Sequence, residues 1–268
     1  MTYEPGQQLT LGGFSMTVQK LCGGSCAEVY LVEANDIGPA TLKTISQLCP
    51  DERVGLLRHE SQVLQQLSAV TNIVKLIGQG EHQGVPWMLM ERLQSRHSFS
   101  EAPPNEKINQ LAEICEALHC AHELGIVHRD IDPANILTDG KKWKLIDWGA
   151  SYSSSSLAPA KEVLARYFTP STAAPETFQG VVGNPRSDIY SIGCCFYHFL
   201  TKKMPYGEGS KQSLSNCHNN DPIPQLNDCP DEYQALLENL MAKEPVNRLM
   251  NMLQVKNRLL SLPPISGQ

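Results

Sequence analysis

The hydrophobic period changes once along this chain, near residue 94, and that single change restricts the architectures open to it. Upstream, Phe14 to Val18, Ala27 to Val32 and Ala40 to Ile45 alternate or carry β-branched residues, with turns at Gly23-Gly24 and at Asp36-Ile37-Gly38-Pro39. Runs of this kind predict an antiparallel sheet. One helix interrupts it: Pro50-Asp51-Glu52 supplies an N-terminal cap and an acidic first turn, and Leu56, Leu57, Glu60, Val63, Leu64 and Leu67 follow at helical spacing. Ile73 to Ile77 and Trp87 to Glu91 add two strands, and the polar run Gln94-Ser95-Arg96-His97-Ser98 reads as a hinge.

Downstream the period is helical. Ile108, Leu111, Cys115, Leu118 and His122 mark one face, with Gly125 as the C-terminal cap. Asn135-Ile136-Leu137-Thr138 and Trp143-Lys144-Leu145-Ile146 flank Asp139-Gly140, a strong hairpin signal. Ser187-Asp188 is placed to cap a helix from Ile189 to Leu200 that is apolar on nearly every side, as at the centre of a domain. The expected fold class is therefore α+β, a small antiparallel sheet with one helix followed by a larger helical part.

Both ends of the hairpin carry polar residues that folding does not require. His128-Arg129-Asp130-Ile131-Asp132-Pro133-Ala134-Asn135 leads in and Asp147-Trp148-Gly149 leads out, so one turn gathers Asp130, Asn135 and Asp147. A carboxylate beside a carboxamide suits Mg²⁺, which finishes its octahedron with phosphate and water. Asp130 is left to accept or orient a hydroxyl proton.

Composition removes other classes. The chain has 268 residues, 41% hydrophobic and 19% charged, enough to bury a large core and too apolar for a disordered protein. No run approaches the roughly 20 apolar residues that span a bilayer, and the start lacks a signal peptide's basic and apolar regions. A cytoplasmic protein, or one exported without a cleaved signal, is expected. The net charge of -6 repels phosphate backbones and argues against nucleic acid as a partner. Nine scattered cysteines without paired CxxC spacing read as reduced thiols, with Cys22 and Cys26 the pair most open to oxidation.

At the loop before the hairpin the sequence resembles the protein kinase family, whose catalytic loop is HRDxxxxN and whose metal-binding motif is DFG, here DWG. The resemblance covers nearly the whole chain and implies a bilobal fold, residues 1–93 forming the N-lobe and 94–268 the C-lobe of one kinase domain over 10–262. By the same resemblance Leu21, Gly23, Gly24 and Ser25 belong to the loop covering the phosphates of ATP. Val29, Ala40 and Leu137 would sandwich adenine, and the backbone of Glu91 to Leu93 would hydrogen-bond it behind the gatekeeper Met90. Lys43 would contact the phosphates and Glu60 hold its ammonium. Asp130 would be the catalytic carboxylate, and Asn135 and Asp147 would bind Mg²⁺, or Mn²⁺. Leu64, Leu76, His128 and Trp148 would stack into a spine. Ala174-Pro175-Glu176 matches the end of the activation segment with Arg248 as partner of Glu176, and Asp188 to Gly193 matches DxxxxG.

The function this implies is transfer of the γ-phosphoryl group of Mg-ATP to serine or threonine of a protein substrate, with autophosphorylation. The segment Thr169 to Glu176 resembles the Ser/Thr type, and Thr169 would sit beside Asp130. Arg129 resembles the arginine that orders a phosphorylated segment, with Ser151, Ser153 to Ser156 and Thr169 as acceptors. The sequence departs from the family in four places. Cys22 and Ala27 replace loop glycines, Asp132 replaces a lysine, and Trp148 replaces phenylalanine. These departures resemble those of divergent eukaryotic-like kinases of bacteria, phages or secreted effectors. They leave open a pseudokinase scaffold or nucleotide sensor, and Ile146-Asp147-Trp148 also resembles small-molecule phosphotransferases of the aminoglycoside or choline kinase type.

Overall fold

In a computed structural model of the chain, residues 3–23, 27–46, 49, 51–94, 102–154, 159–227 and 229–265 are described. Six strands come first: β1 (Gln8–Leu11), β2 (Phe14–Gly23), β3 (Ala27–Ala34), β4 (Gly38–Ile45), β5 (Leu76–His82) and β6 (Val85–Glu91). They form one antiparallel sheet in the order β1-β2-β3-β4-β6-β5. The helix α1 (Asp51–Gln66) lies between β4 and β5 in sequence and buries Leu57, Val63 and Leu64.

Strand parity decides what each face does. Tyr30, Val32, Ala40, Leu42 and Leu89 point to one side and pack with Leu11, Met16 and Trp87 in a core of their own. Val29, Leu31, Thr41 and Lys43 point to the other, where the cavity described below opens. Two boundaries differ from the sequence reading. β1 was not anticipated, because its Gln-Leu-Thr-Leu run is short and its pairing with β2 is tertiary. The strand expected from Ile73 begins at Leu76, since Asn72 at φ +63 turns the chain and docks it on the hairpin. There Leu145 N donates to Asn72 O at 2.9 Å and Asn72 Nδ2 donates to Trp143 O at 2.8 Å.

The second part is helical around one hairpin. α2 (Pro104–Glu123) starts with proline in its first turn and stops at Gly125, whose φ of +71 is the left-handed conformation a helix end favours. β7 (Ile136–Thr138) and β8 (Trp143–Leu145) pair as expected, though Thr138 faces Trp143, so the connection is the four residues 139–142. Asp139 organises that loop by accepting from the amides of Lys141 and Lys142, each at 2.9 Å.

Then follow α3 (Lys161–Leu164), α4 (Pro175–Phe178), α5 (Pro185–Thr201), α6 (Lys211–Asn220), α7 (Asp231–Met241) and α8 (Met252–Leu260). The cap of α5 is Asn184, accepting from Arg186 N at 3.0 Å, rather than Ser187-Asp188. Those two lie inside the first turn, which frees the Asp188 side chain for another task. Gly193 of α5 faces α7 so closely that a Cβ there would sit 2.7 Å from Met241 Cγ. Among the described residues no helix is long and apolar enough to cross a membrane. A curled antiparallel sheet with one helix, set on a helical part, is the bilobal α+β architecture expected from the sequence.

Candidate active site

The loop 128–135 is built by Asp188. Its carboxylate accepts from the amides of His128 (2.9 Å) and Arg129 (2.8 Å) and pairs with His122 Nε2 at 2.8 Å. Burial opposes its ionisation, but the His122 hydrogen bond and the Arg129 amide outweigh burial and hold the carboxyl below its usual range. Held this way, the backbone accepts a φ of +70 at Arg129, an arrangement costly for a residue with a Cβ.

His128 links the loop to the hairpin. Its Nε2 lies 3.1 Å from Ile146 O and its Nδ1 3.2 Å from the donating Asp130 N, a pattern that assigns the neutral Nε2–H tautomer. Burial lowers its pKa in the same sense. The ring packs edge-on against Trp148 with centroids 4.4 Å apart. Trp148 is fully buried in the same apolar cluster as Leu64 and Leu76, and α1 lies inward over it.

Asp130 is fixed at three points. Oδ1 accepts from Thr169 N at 2.7 Å, Oδ2 from Asn135 Nδ2 at 3.3 Å, and the backbone O of Asp130 from the same Nδ2 at 2.8 Å. Asn135 is thereby turned so that its Oδ1 faces away from Asp130. Ile146 N donates to Asn135 O at 2.9 Å, which brings Asp147 beside it.

Asp147, at φ +61, aims its carboxylate at Lys43, whose Nζ donates to Asp147 Oδ1 at 2.9 Å and Glu60 Oε2 at 2.7 Å. Burial works against the ammonium, but the two carboxylates overcome it and raise its pKa. The same ammonium lowers Asp147. Burial pushes Glu60 up to about 7 even with Lys43 pulling the other way. Gly149 matters here, because a Cβ on it would come within 3.3 Å of Glu60 Oε2.

These groups close one end of a cavity of about 1030 Å³ between the sheet and the helical part. Gly23, Val29, Lys43, Glu60, Glu91, Leu93, Asp130, Leu137 and Asp147 line it, as does Met90. Asn135 stands behind Asp130, held by the bonds above. Leu21 and Ala40 are not brought to the cavity. Ala40 is fully buried on the opposite face, and Thr41 takes its place, because side chains two apart from Lys43 share its face. Leu21 pairs with Tyr30 and faces outward, 41% exposed, next to a register shift in β2. Gly24 and Ser25 lie outside the described residues, as do Cys26, Ser155 and Ser156.

Sequence reasoning missed Leu31, Thr41 and the ion pair of Glu91 with Lys144 of β8, 2.7 Å, which ties the end of β6 to the hairpin. Parity counted from Lys43 identifies Thr41; the Glu91 pair has no sequence signal. Asp132 caps the turn 133–135, its Oδ1 accepting from Ala134 N at 2.7 Å. Arg129 is buried, its Nη1 donating to Ala150 O at 2.8 Å and Leu164 O at 3.1 Å, and Ser151 is fully buried with its hydroxyl on Trp148 O at 2.6 Å. Glu176 and Arg248 meet at 2.6 Å. Among the described cysteines Cys22 and Cys120 are exposed.

The donor set suits the groups the fold implies. An apolar slot ending in a lysine fits a nucleotide, and a carboxylate with a carboxamide oxygen is the hard, sparse set that Mg²⁺ takes. Comparison with known proteins agrees. The protein kinase domain family matches residues 16–259. A serine/threonine-protein kinase, PknB, of Mycobacterium leprae is 29% identical over 195 residues, covering 69% of this chain and 31% of its own length. A probable PknB of Corynebacterium glutamicum is 32% identical over 211 residues, 71% of this chain and 32% of the relative. A probable serine/threonine-protein kinase of Clostridium perfringens is 29% identical over 213 residues, with 74% and 30% covered. The chain thus spans about a third of the length of the curated relatives it matches. The family match over residues 16–259 shows that this chain belongs to the protein kinase family.

Proposed function

We propose that the protein transfers the terminal phosphoryl group of Mg-ATP to serine or threonine hydroxyls of a protein substrate. The observation that carries this reading is the gathering of Lys43, Glu60, Asp147 and Asp130 around one cavity, each held by a named partner. A scaffold has no chemical need for that set.

In this reading the backbone of Glu91 to Leu93 and the side chains of Val29, Thr41 and Leu137 receive the adenine. Lys43, steadied by Glu60, meets the phosphates, and Asn135 and Asp147 hold the cation, which when bound neutralises charge on the phosphates. Asp130 orients the acceptor hydroxyl and takes its proton, its carboxylate aimed by Thr169 N and Asn135. Rate enhancement comes from positioning and electrostatics rather than from a covalent intermediate. Exposed hydroxyls such as Ser154 are acceptors for self-modification.

The test is mass spectrometry after incubation with Mg-ATP and a generic protein substrate, beside Asp130→Asn and Lys43→Met. Time-dependent phosphate on serine or threonine, absent from both variants, is the expected result. Transfer by Asp130→Asn at the wild-type rate would remove Asp130 from its role.

A further inference from the structure

We propose that Lys144 is a positioning residue for the nucleotide: it holds the end of β6 at a fixed distance from the hairpin and so sets the gap into which the adenine fits. The inference rests on the kinase reading above and extends it to a residue that does not itself line the cavity.

Leu137 of β7 lines the cavity and lies directly opposite Lys144 of β8. Cross-strand partners share a face of the sheet, so the two side chains stand together. Leu137 forms a wall of the slot, and beside it Lys144 Nζ donates to both oxygens of Glu91, each at 2.7 Å. Glu91 is the last residue of β6. Its Oε1 also accepts from Lys75 N at 2.7 Å, and its own amide donates to Lys75 O at 3.0 Å. One carboxylate therefore joins the start of β5, the end of β6 and β8. Three residues on, Gln94 N donates to Thr138 O at 2.7 Å and Thr138 N to Gln94 O at 3.2 Å. The segment 91–94 is thus fastened to the hairpin at both ends, by a side chain at Glu91 and by backbone at Gln94. The backbone that the kinase reading gives to adenine, Glu91 to Leu93, lies within that span.

Charge makes the fastening at Glu91 depend on Lys144. Its Nζ also lies 3.5 Å from Asp139 Oδ2, so one ammonium stands between two carboxylates. With side chains only 16% and 22% exposed, the Lys144–Glu91 pair escapes much of the screening that weakens surface pairs. Without the ammonium, Glu91 and Asp139 face each other as like charges, which pushes the end of β6 away from β8. Hydrogen bonds weaken steeply with misalignment, so a small displacement of residues 91–93 costs affinity for the base while leaving Lys43, Asp130 and Asp147 in place.

The experiment compares the full wild-type chain with two variants. Lys144→Met keeps an unbranched side chain without the charge, and Lys144→Arg offers a guanidinium that can meet a carboxylate at two points. Calorimetric titration with Mg-ATP should show a dissociation constant raised about fivefold or more in Lys144→Met and largely restored in Lys144→Arg. Amide exchange reads the positioning without nucleotide. In Lys144→Met the Gln94 amide should exchange severalfold faster, while the amides of β3 and β4 keep their wild-type rates. Unchanged affinity in Lys144→Met beside a wild type that binds Mg-ATP overturns the proposal. So does faster exchange spread equally through β3 and β4, because a pair that only stabilises the fold loosens the whole sheet. A wild-type chain that binds no Mg-ATP overturns the kinase reading itself.

Discussion

Arg248 and Glu176, 72 residues apart, meet in a two-point ion pair, Nη1 to Oε1 at 2.6 Å and Nη2 to Oε2 at 2.8 Å. The arginine also donates to the carbonyls of Ala242, Lys243 and Arg186, and the glutamate accepts the Ser187 hydroxyl. One buried pair thus joins α4, the first turn of α5 and the chain after α7. Arg248→Ala should destabilise the protein by about 3–5 kcal/mol, because it strands a buried carboxylate. Arg248→Lys should recover only part, since an ammonium lacks the planar fork. Urea unfolding at neutral pH checks both, and an Arg248→Ala midpoint equal to wild type would refute the account.

Lys43 is shared by two carboxylates, so its removal acts on both. Lys43→Met should lower kcat by about 10²-fold or more, the usual scale for losing one electrostatic contact to a reacting group. Glu60→Gln keeps the volume and one acceptor for the Lys43 ammonium, and should cost less. Steady-state rates with Mg-ATP decide the ordering. A larger loss in Glu60→Gln than in Lys43→Met would contradict the shared-lysine geometry.

The catalytic centre was more legible than its walls. Asp130, Asn135 and Asp147 lie at the two ends of a hairpin that Asp139-Gly140 announces locally, so a short-range rule delivered a tertiary site. Glu60 was reached through the family resemblance, with helical spacing placing it on the buried face of α1. The walls depend on strand face and register, and there a one-residue difference inverts the outcome. Ala40 was chosen for its likeness to a motif, whereas parity from Lys43 selects Thr41. Leu21 fails for another reason: the register shifts in β2 break the alternation, and nothing in the sequence marks a bulge. Arg129 and Ser151 show a third limit, since burial by a distant segment decides whether a side chain can be reached.

The face assignment is itself testable. Thr41→Phe should fill the slot beside Met90 and weaken ATP binding by about tenfold or more, whereas Leu21→Ala, on the outer face, should change it by less than about twofold. Calorimetric titration with Mg-ATP separates the two. Equal losses in both variants would mean that Leu21 also faces the nucleotide and would overturn its placement on the outer face.

Acid stability follows from buried histidines. Burial, then Lys243, pushes His218 down to about 4, and burial likewise lowers His59 and His128. Above the unfolded value of about 6.5 all three are neutral in both states, and they add no pH dependence. As pH falls below about 6.5, the unfolded chain takes up protons that the folded chain refuses, so stability drops until the folded pKa is reached. For His218 alone that window runs from about 6.5 to about 4 and is worth up to about 3 kcal/mol. Glu60, with its carboxyl at about 7, gains protons on folding and works in the opposite sense, so wild-type stability alone does not isolate the histidine. The comparison that does is with His218→Gln, which keeps a polar group near the Tyr190 hydroxyl that lies 2.8 Å from His218 Nδ1. Unfolding free energies of wild type and variant should diverge in slope between pH 7 and pH 5, the wild type losing stability faster. Parallel slopes would show that His218 is protonated in the folded protein despite its burial.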